Sequence, residues 1–155
     1  MKNEFSKLIK IELKETSSKS ITPEQNQERA IAIYDLMENN YFNLINHNGP
    51  YILKLSMLPM HLLFEISSKN KTPLKSFYLS LGPFRKIIRD YKLVCENYYD
   101  AIKTKPPSQI QAIDVGRKAI HDEGSNTVMK RLNDKIELDE ETARRIFTLI
   151  CVLKL

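Results

Sequence analysis

Few residues of this chain combine a reactive type with a spacing that chemistry could use. His121-Asp122-Glu123 carries the side chains of a metal or acid–base site, but consecutive positions on a helix point in different directions and cannot close on one ion together. One or two of them could serve. A small enzyme with its site near His121 and Glu123 would need a concave pocket lined by both. The plainer account of His121 is a place near a helix C-terminus, where a charged imidazole is favoured by the dipole. His47, in a turn, and His61, at a strand start, lack spaced partners. Asp90, Glu96 and Asp100 could be a general acid and base. However, Lys86 and Lys92 lie four residues before Asp90 and Glu96, and Lys103 lies three after Asp100, which is the spacing of surface ion pairs.

Nucleotide-binding loops are missing, with neither GxGxxG nor GxxxxGK[ST] and only four glycines in all. GxSxG, HExxH and paired CxxC are also missing. No cofactor and no metal site is therefore expected. Cys95 and Cys151 fall in apolar helical stripes, where a thiol behaves as a small hydrophobe, and a reducing compartment would leave both free.

Two surfaces suit binding better than catalysis. Arg85, Lys86, Arg89 and Lys92 form a basic side of one helix, with Lys103, Lys105, Arg117 and Lys118 placed to extend it and Tyr99 to offer a stacking face. Phosphate or nucleic-acid contact through Arg85, Arg89 and Lys92 is one reading, and a solvated face with interleaved acids is the other. Arg144 and Arg145 stand on an otherwise apolar helix, which asks for a buried carboxylate partner, with Asp114 or Asp90 the candidates.

These residues need elements to position them. At 155 residues, 42% hydrophobic and 28% charged, the chain suits one globular domain that needs neither disulfide nor metal to fold. The net charge of +5 is spread out, with ten basic against eight acidic residues in 1–80 and fourteen against eleven in 81–155. No segment suits a membrane span or a signal peptide, so a cytoplasmic protein is expected.

Leu8 to Lys14 alternates as a half-buried edge strand, with Ile9, Ile11 and Leu13 inward, and the stretch at 16–20 suits a loop. Thr22 and Gln25 form a capping box for a helix whose stripe is Ala30, Ile33, Tyr34 and Met37. A short strand at Tyr41 to Ile45 and a turn at Asn46 to Pro50 follow. Tyr51 to Met57, His61 to Ser67 and Leu74 to Leu81 alternate as strands with short links, which implies antiparallel hairpins.

From Pro83 to Thr104 the period becomes helical, with Phe84, Ile87, Ile88, Tyr91, Val94, Cys95, Tyr98 and Ile102 on one stripe. Such a rod would measure roughly 33 Å. Pro106-Pro107 ends it, and Ser108 with Gln111 opens a helix that presents Ala112, Val115, Gly116 and Ala119 on one side and stops at Gly124. Ser125 caps a short helix. Asp139 starts the last one, apolar on most sides from Ala143 to Leu153.

The stretches ERAIAIYDL (Glu28 to Leu36), LSLGPFRKIIRDYKLVCENYYDAI (Leu79 to Ile102), PSQIQAIDVGRKAIHDEGS (Pro107 to Ser125) and TARRIFTLICVL (Thr142 to Leu153) resemble the bacterial uncharacterised protein family UPF0262. The likeness covers most of the chain and implies no activity, so it transfers no catalytic residue.

The expected architecture is α+β in a single domain of residues 1–155: a small antiparallel meander sheet packed against helices, mainly in 1–81, then an all-helical C-terminal half. The outward sheet face would carry Leu8, Lys10, Glu12, Ile52, Lys54, Ser56, Leu63, Glu65, Ser76 and Tyr78. Of these, Ile52, Leu63 and Tyr78 are too apolar for open water if they cluster. A partner, a second copy or a C-terminal helix would cover them. The leading expectation is a non-enzymatic interaction or regulatory protein that self-associates through that face. The alternatives are nucleic-acid binding by the basic helix and a small enzyme near His121.

Overall fold

The computed structural model of the chain describes residues 4–14 and 22–154. The loop expected at 16–20 lies outside them. In chain order the elements are β1 (Leu8–Lys14), α1 (Pro23–Glu38), β2 (Phe42–Leu44), β3 (Tyr51–Met57), β4 (His61–Ser68), β5 (Pro73–Ser80), a single 3-10 turn (Gly82–Phe84), α2 (Arg85–Thr104), α3 (Pro107–Leu132), β6 (Ile136–Leu138) and α4 (Glu140–Lys154).

The fold is α+β. The main sheet has the order β1-β3-β4-β5; β3, β4 and β5 form the antiparallel meander and β1 adds to its edge in parallel. A parallel edge requires a crossover, and α1 lies within it. The C-terminal half is helical apart from β6, which pairs with β2 in a two-stranded ribbon. Three residues with one buried face are too short to announce themselves by periodicity.

Alternation along β3 and β4 buries Leu53, Leu55, Leu62, Phe64 and Ile66 completely or nearly so. Leu8 departs from its expected outward place. The pairing slips between Leu8 and Lys10, and the extra residue turns Leu8 to the inner face while Ile9 is left in solvent.

The capping box of α1 forms as expected, with the Gln25 backbone N–H donating to Thr22 Oγ1 and the Thr22 N–H to the Gln25 side chain. Its buried residues are Ala32 and Leu36, while Tyr34 and Met37 are exposed. The helix is apolar around more of its circumference than one stripe, so neighbours rather than periodicity choose the inner side. At its end Asn40 ties α1 to β1: its side chain accepts from the Leu8 N–H and donates to the Leu8 and Leu36 carbonyls.

The central helix meets its expectation closely, burying Phe84, Ile87, Ile88, Tyr91 and Cys95, although its last turn buries Ala101 and leaves Ile102 exposed. No stop occurs at Gly124, because α3 runs unbroken through it to Leu132. The residue serves contact instead. A Cβ built on Gly124 would lie 2.5 Å from the ring carbons of Phe147 on α4, so only a hydrogen lets the two helices meet. Gly116, on the side expected to take a neighbour, has nothing nearer than Val94 at 4.0 Å. Helix α4 buries nine residues from Thr142 to Val152, and Asp139 caps it by accepting the Thr142 N–H. Among the described residues, no helix is long and apolar enough to cross a membrane.

The two glycines of α3 should respond oppositely to the same change. Gly116→Ala is expected to stabilise the protein by about 0.5–1 kcal/mol through helix propensity. Gly124→Ala is expected to destabilise it by about 1–2 kcal/mol, because overpacking against Phe147 exceeds that gain. Urea denaturation of both variants checks the order.

Candidate functional site

Tyr91, Cys95 and Tyr99 follow at steps of four, so they stack along one side of α2. Facing them is Glu28 of α1. Its Oε2 accepts the Tyr91 hydroxyl at 2.7 Å, and its Oε1 accepts the Tyr99 hydroxyl at 2.7 Å and the Cys95 thiol at 3.7 Å. Burial and the neighbouring Glu28 charge push the Cys95 thiol up to about 12 and raise the Tyr91 phenol strongly. Burial, then the hydrogen bond to Glu28, also raises Tyr99. None of these groups becomes a nucleophile at neutral pH. Cys95 and Cys151 are both free and buried.

Glu28, Tyr91 and Tyr99 also divide space. On one side is a cavity of about 270 Å³ that reaches Thr22, Lys92 and Lys103. On the other is a larger one, about 500 Å³, between the four helices. Helix α1 packs on α4, α4 on α3 and α3 on α2, so the larger cavity is ringed by all four. Its volume is that of an ordinary small-molecule site.

The walls of the larger cavity differ in chemistry. Helix α1 contributes the carboxylates Glu28 and Asp35, and α2 the rings of Tyr91, Tyr98 and Tyr99. Helix α3 adds Arg117, Lys118 and His121, and α4 adds Arg144 and Arg145. The guanidinium of Arg117 lies 4.5 Å over the Tyr98 ring and donates to Asp114 at 2.8 Å. Arg144 donates to Asp122, and Arg145 to Glu141 at 3.0 Å. Asp114, Asp122 and Glu141 do not line the cavity. They hold the three planes from behind, as outer partners orient the ligands of a binding site.

His121 packs edge-on against Tyr91, with ring centres 5.1 Å apart, and against Phe147. Burial, followed by repulsion from Arg144 and Arg117, lowers its pKa to about 4. It is neutral at pH 7, so the dipole-stabilised imidazolium expected from its position near a helix end does not form; α3 continues past it. Three buried side-chain nitrogens lack a hydrogen-bond partner among the described residues: His121 Nδ1, Arg144 Nε and Arg145 Nε. All three belong to residues lining this one cavity.

Of the residues singled out in the sequence, His121 is here and Glu123 is not. Glu123 is exposed outside the lining, and the cavity's nearest equivalent is Glu28, more than ninety positions earlier. Arg144 and Arg145 do pair with carboxylates, but with Asp122, Glu141 and, at 3.6 Å, Asp35 rather than Asp114 or Asp90. Asp114 holds Arg117 and Lys118, and Asp90 holds Lys86. Arg117 and Lys118 line the cavity instead of extending the basic side of α2, and Tyr99 spends its hydroxyl on Glu28. Arg85, Arg89 and Lys92 are exposed on one stripe of α2, with no ion pair among the described residues.

On the outer sheet face Leu63 and Tyr78 are direct cross-strand partners, and the His61 ring packs 6.0 Å from Tyr78, which is 62% exposed. Ile52 is not beside them. It pairs with Ser67, four positions along β3 from Ser56, the partner of Leu63, or roughly 13 Å away. Lys54 and Glu65 intervene as a cross-strand pair. The three apolar side chains therefore make no continuous patch. Sequence reasoning missed the Glu28 cluster, whose one local signal is the Tyr91-Cys95-Tyr99 spacing.

These features define an α+β protein with a polar cavity ringed by its helices. The model of the uncharacterised protein family UPF0262 matches residues 5–155, and the chain belongs to that family. It is 50% identical over 149 residues to the UPF0262 protein of Mesorhizobium japonicum, covering 95% of this chain and 92% of the relative. It is 51% identical over 148 residues to that of Rhizobium meliloti, covering 95% and 93%. The UPF0262 protein of Ruegeria pomeroyi is 47% identical over 155 residues, covering 96% of each. The names of these bacterial relatives state no activity, ligand or partner. No solved structure matches the chain.

The depressed pKa of His121 fixes the sign of one pH effect. Unfolded, the imidazole takes up a proton below about 6.5, whereas folded it resists until about 4, so stability falls as pH drops through that window. Between pH 7 and pH 5 this residue should cost about 2 kcal/mol. Urea denaturation at the two pH values should show that much less loss in His121→Gln than in the wild type.

Proposed function

We propose that the chain is a non-enzymatic binding protein that takes a small organic anion, a carboxylate or a phosphate, in the larger cavity. One observation carries this reading: every buried side-chain nitrogen without a hydrogen-bond partner among the described residues belongs to His121, Arg144 or Arg145, all in its lining, and carboxylates reach the two arginine Nε atoms only at ion-pair distances of 4.0 and 3.6 Å. A buried donor left without a hydrogen bond costs on the order of 1–3 kcal/mol; the two arginine Nε–H groups carry that cost, His121 shares it when its proton sits on Nδ1, and a ligand oxygen that drew these side chains into contact would offset it. Guanidinium groups suit the task because their planar donor forks match carboxylate and phosphate geometry. Binding is favoured over catalysis because the groups that could do chemistry are stilled: the Cys95 thiol stands at about 12 and His121 at about 4, far from neutrality on either side. Two reduced, buried thiols fit a cytoplasmic location.

A second reading keeps nucleic-acid contact at α2. Its support is the stripe of Arg85, Arg89 and Lys92, exposed and unpaired among the described residues while Lys86 beside them is bound to Asp90. Three phosphate contacts predict that log K for single-stranded RNA falls with log salt at a slope of about −2. Fluorescence anisotropy should show that slope shrink in an Arg85→Gln, Arg89→Gln double variant, and no binding at low salt would remove this reading.

For the cavity, isothermal titration with 3-phenylpropionate and phenyl phosphate tests the assignment. At least one should bind, and Arg144→Gln should weaken it by about tenfold or more, the worth of a charged hydrogen bond. Absence of heat for both at about 1 mM would reject the proposal.

A further inference from the structure

We infer that the cavity's ligand is a zwitterion of amino-acid type, an anionic group and an ammonium on an apolar or aromatic body. This rests on the larger cavity being the anion site.

The argument turns on Glu28. Its carboxylate is half-buried and held by two phenols and a thiol, yet among the described residues no Lys, Arg or His nitrogen forms an ion pair with it. Lys92 and Lys103, which share the smaller cavity with it, form none either. The other acids beside the larger cavity are each matched: Asp35 by Arg145, Asp114 by Arg117 and Lys118, Asp122 by Arg144, and Glu141 by Arg145. A carboxylate taken partly out of water without a counter-charge is costly.

The lone-pair arithmetic leaves room for a ligand. A carboxylate offers about four acceptor positions. Oε1 already accepts from Tyr99 and Cys95, whereas Oε2 accepts from Tyr91 alone, so one position on Oε2 is free. The hydroxyls of Tyr91 and Tyr99 fix the plane of that carboxylate, and an ammonium that meets it over the face of either ring would gain a cation–π contact as well.

The positive and negative groups lie on different helices. The unmatched carboxylate is on α1, and the nitrogens without hydrogen-bond partners among the described residues are on α3 and α4; α1 and α3 share the cavity rather than a packed interface. A plain anion would answer Arg144, Arg145 and His121 and leave Glu28 as it stands. A molecule with both charges answers each wall, and Tyr98, Ile31 and Ala32 of the lining would meet its apolar part.

The test compares phenylalanine with 3-phenylpropionate, which differ by the ammonium alone, by isothermal titration at pH 7. Wild-type protein should bind phenylalanine at least about tenfold more tightly, the value of a hydrogen bond to a charged group. Glu28→Gln should retain 3-phenylpropionate and bring the two to within about twofold. If that variant does not fold, the wild-type comparison decides alone. Equal or tighter binding of 3-phenylpropionate would overturn the zwitterion while leaving the anion site standing. A preference that survives in Glu28→Gln would overturn the role given to Glu28, and no binding of either compound would overturn the inference and the anion site together.

Discussion

Burial of α4 on nearly every side is the constraint from which the rest of the molecule follows. Thr142, Ala143 and the run from Ile146 to Val152 are all buried, and six of them, Ala143, Ile146, Phe147, Leu149, Ile150 and Cys151, share a cluster with the inner faces of β3 and β4 and the buried side of α2. From Ile146 to Val152 the helix has no solvent side on which to place charge, and Arg144 and Arg145 stand just before that stretch, in its second turn. Their side chains must end where carboxylates can reach them. Asp122 arrives from α3 and Asp35 from α1, so both neighbours are fixed to α4 by charge as well as by packing.

That arrangement explains why the cavity lies where it does. The contact of Gly124 with Phe147 brings α3 close to α4, and Arg144 and Arg145 stand in the lining between α3 and α1. Helix α2 completes the ring by reaching α1 through Glu28 and two phenols rather than through an apolar seam. Three of the joints around the ring are packed and the fourth is a set of hydrogen bonds. Polar joints tolerate a gap beside them in a way that close-packed side chains do not, because each bond fixes a distance without filling a volume.

The sequence disclosed the elements better than their meeting points. Strand β1, the β3-β4-β5 meander, the Thr22 box and the long α2 all follow from local period and capping, which need no knowledge of distant residues. Where tertiary contact decides, local rules misled. Gly124 has the type of a helix stop, yet Phe147 uses its bare backbone as a seat. Leu8 has the parity of an outward residue, yet a one-residue slip turns it inward. The site shows the same division. His121 drew attention beside Asp122 and Glu123, and Arg144 and Arg145 as charges on an apolar helix, whereas Glu28 looked like any acid on a polar helix turn, because its partners stand 63 and 71 residues away.

The surroundings of Glu28 also set the chemistry of its neighbours. Burial beside a carboxylate disfavours any further negative charge, which raises the thiol and both phenols, while burial beside two guanidiniums disfavours positive charge on the imidazole. Opposite pressures from opposite walls hold the thiol, the two phenols and the imidazole in their neutral forms. Among the described residues, the chamber therefore sets carboxylates and guanidiniums beside neutral phenols, a thiol and an imidazole. A guest in it would be sorted by matching charge to charge, because a misplaced or missing group would leave one of those fixed charges unanswered.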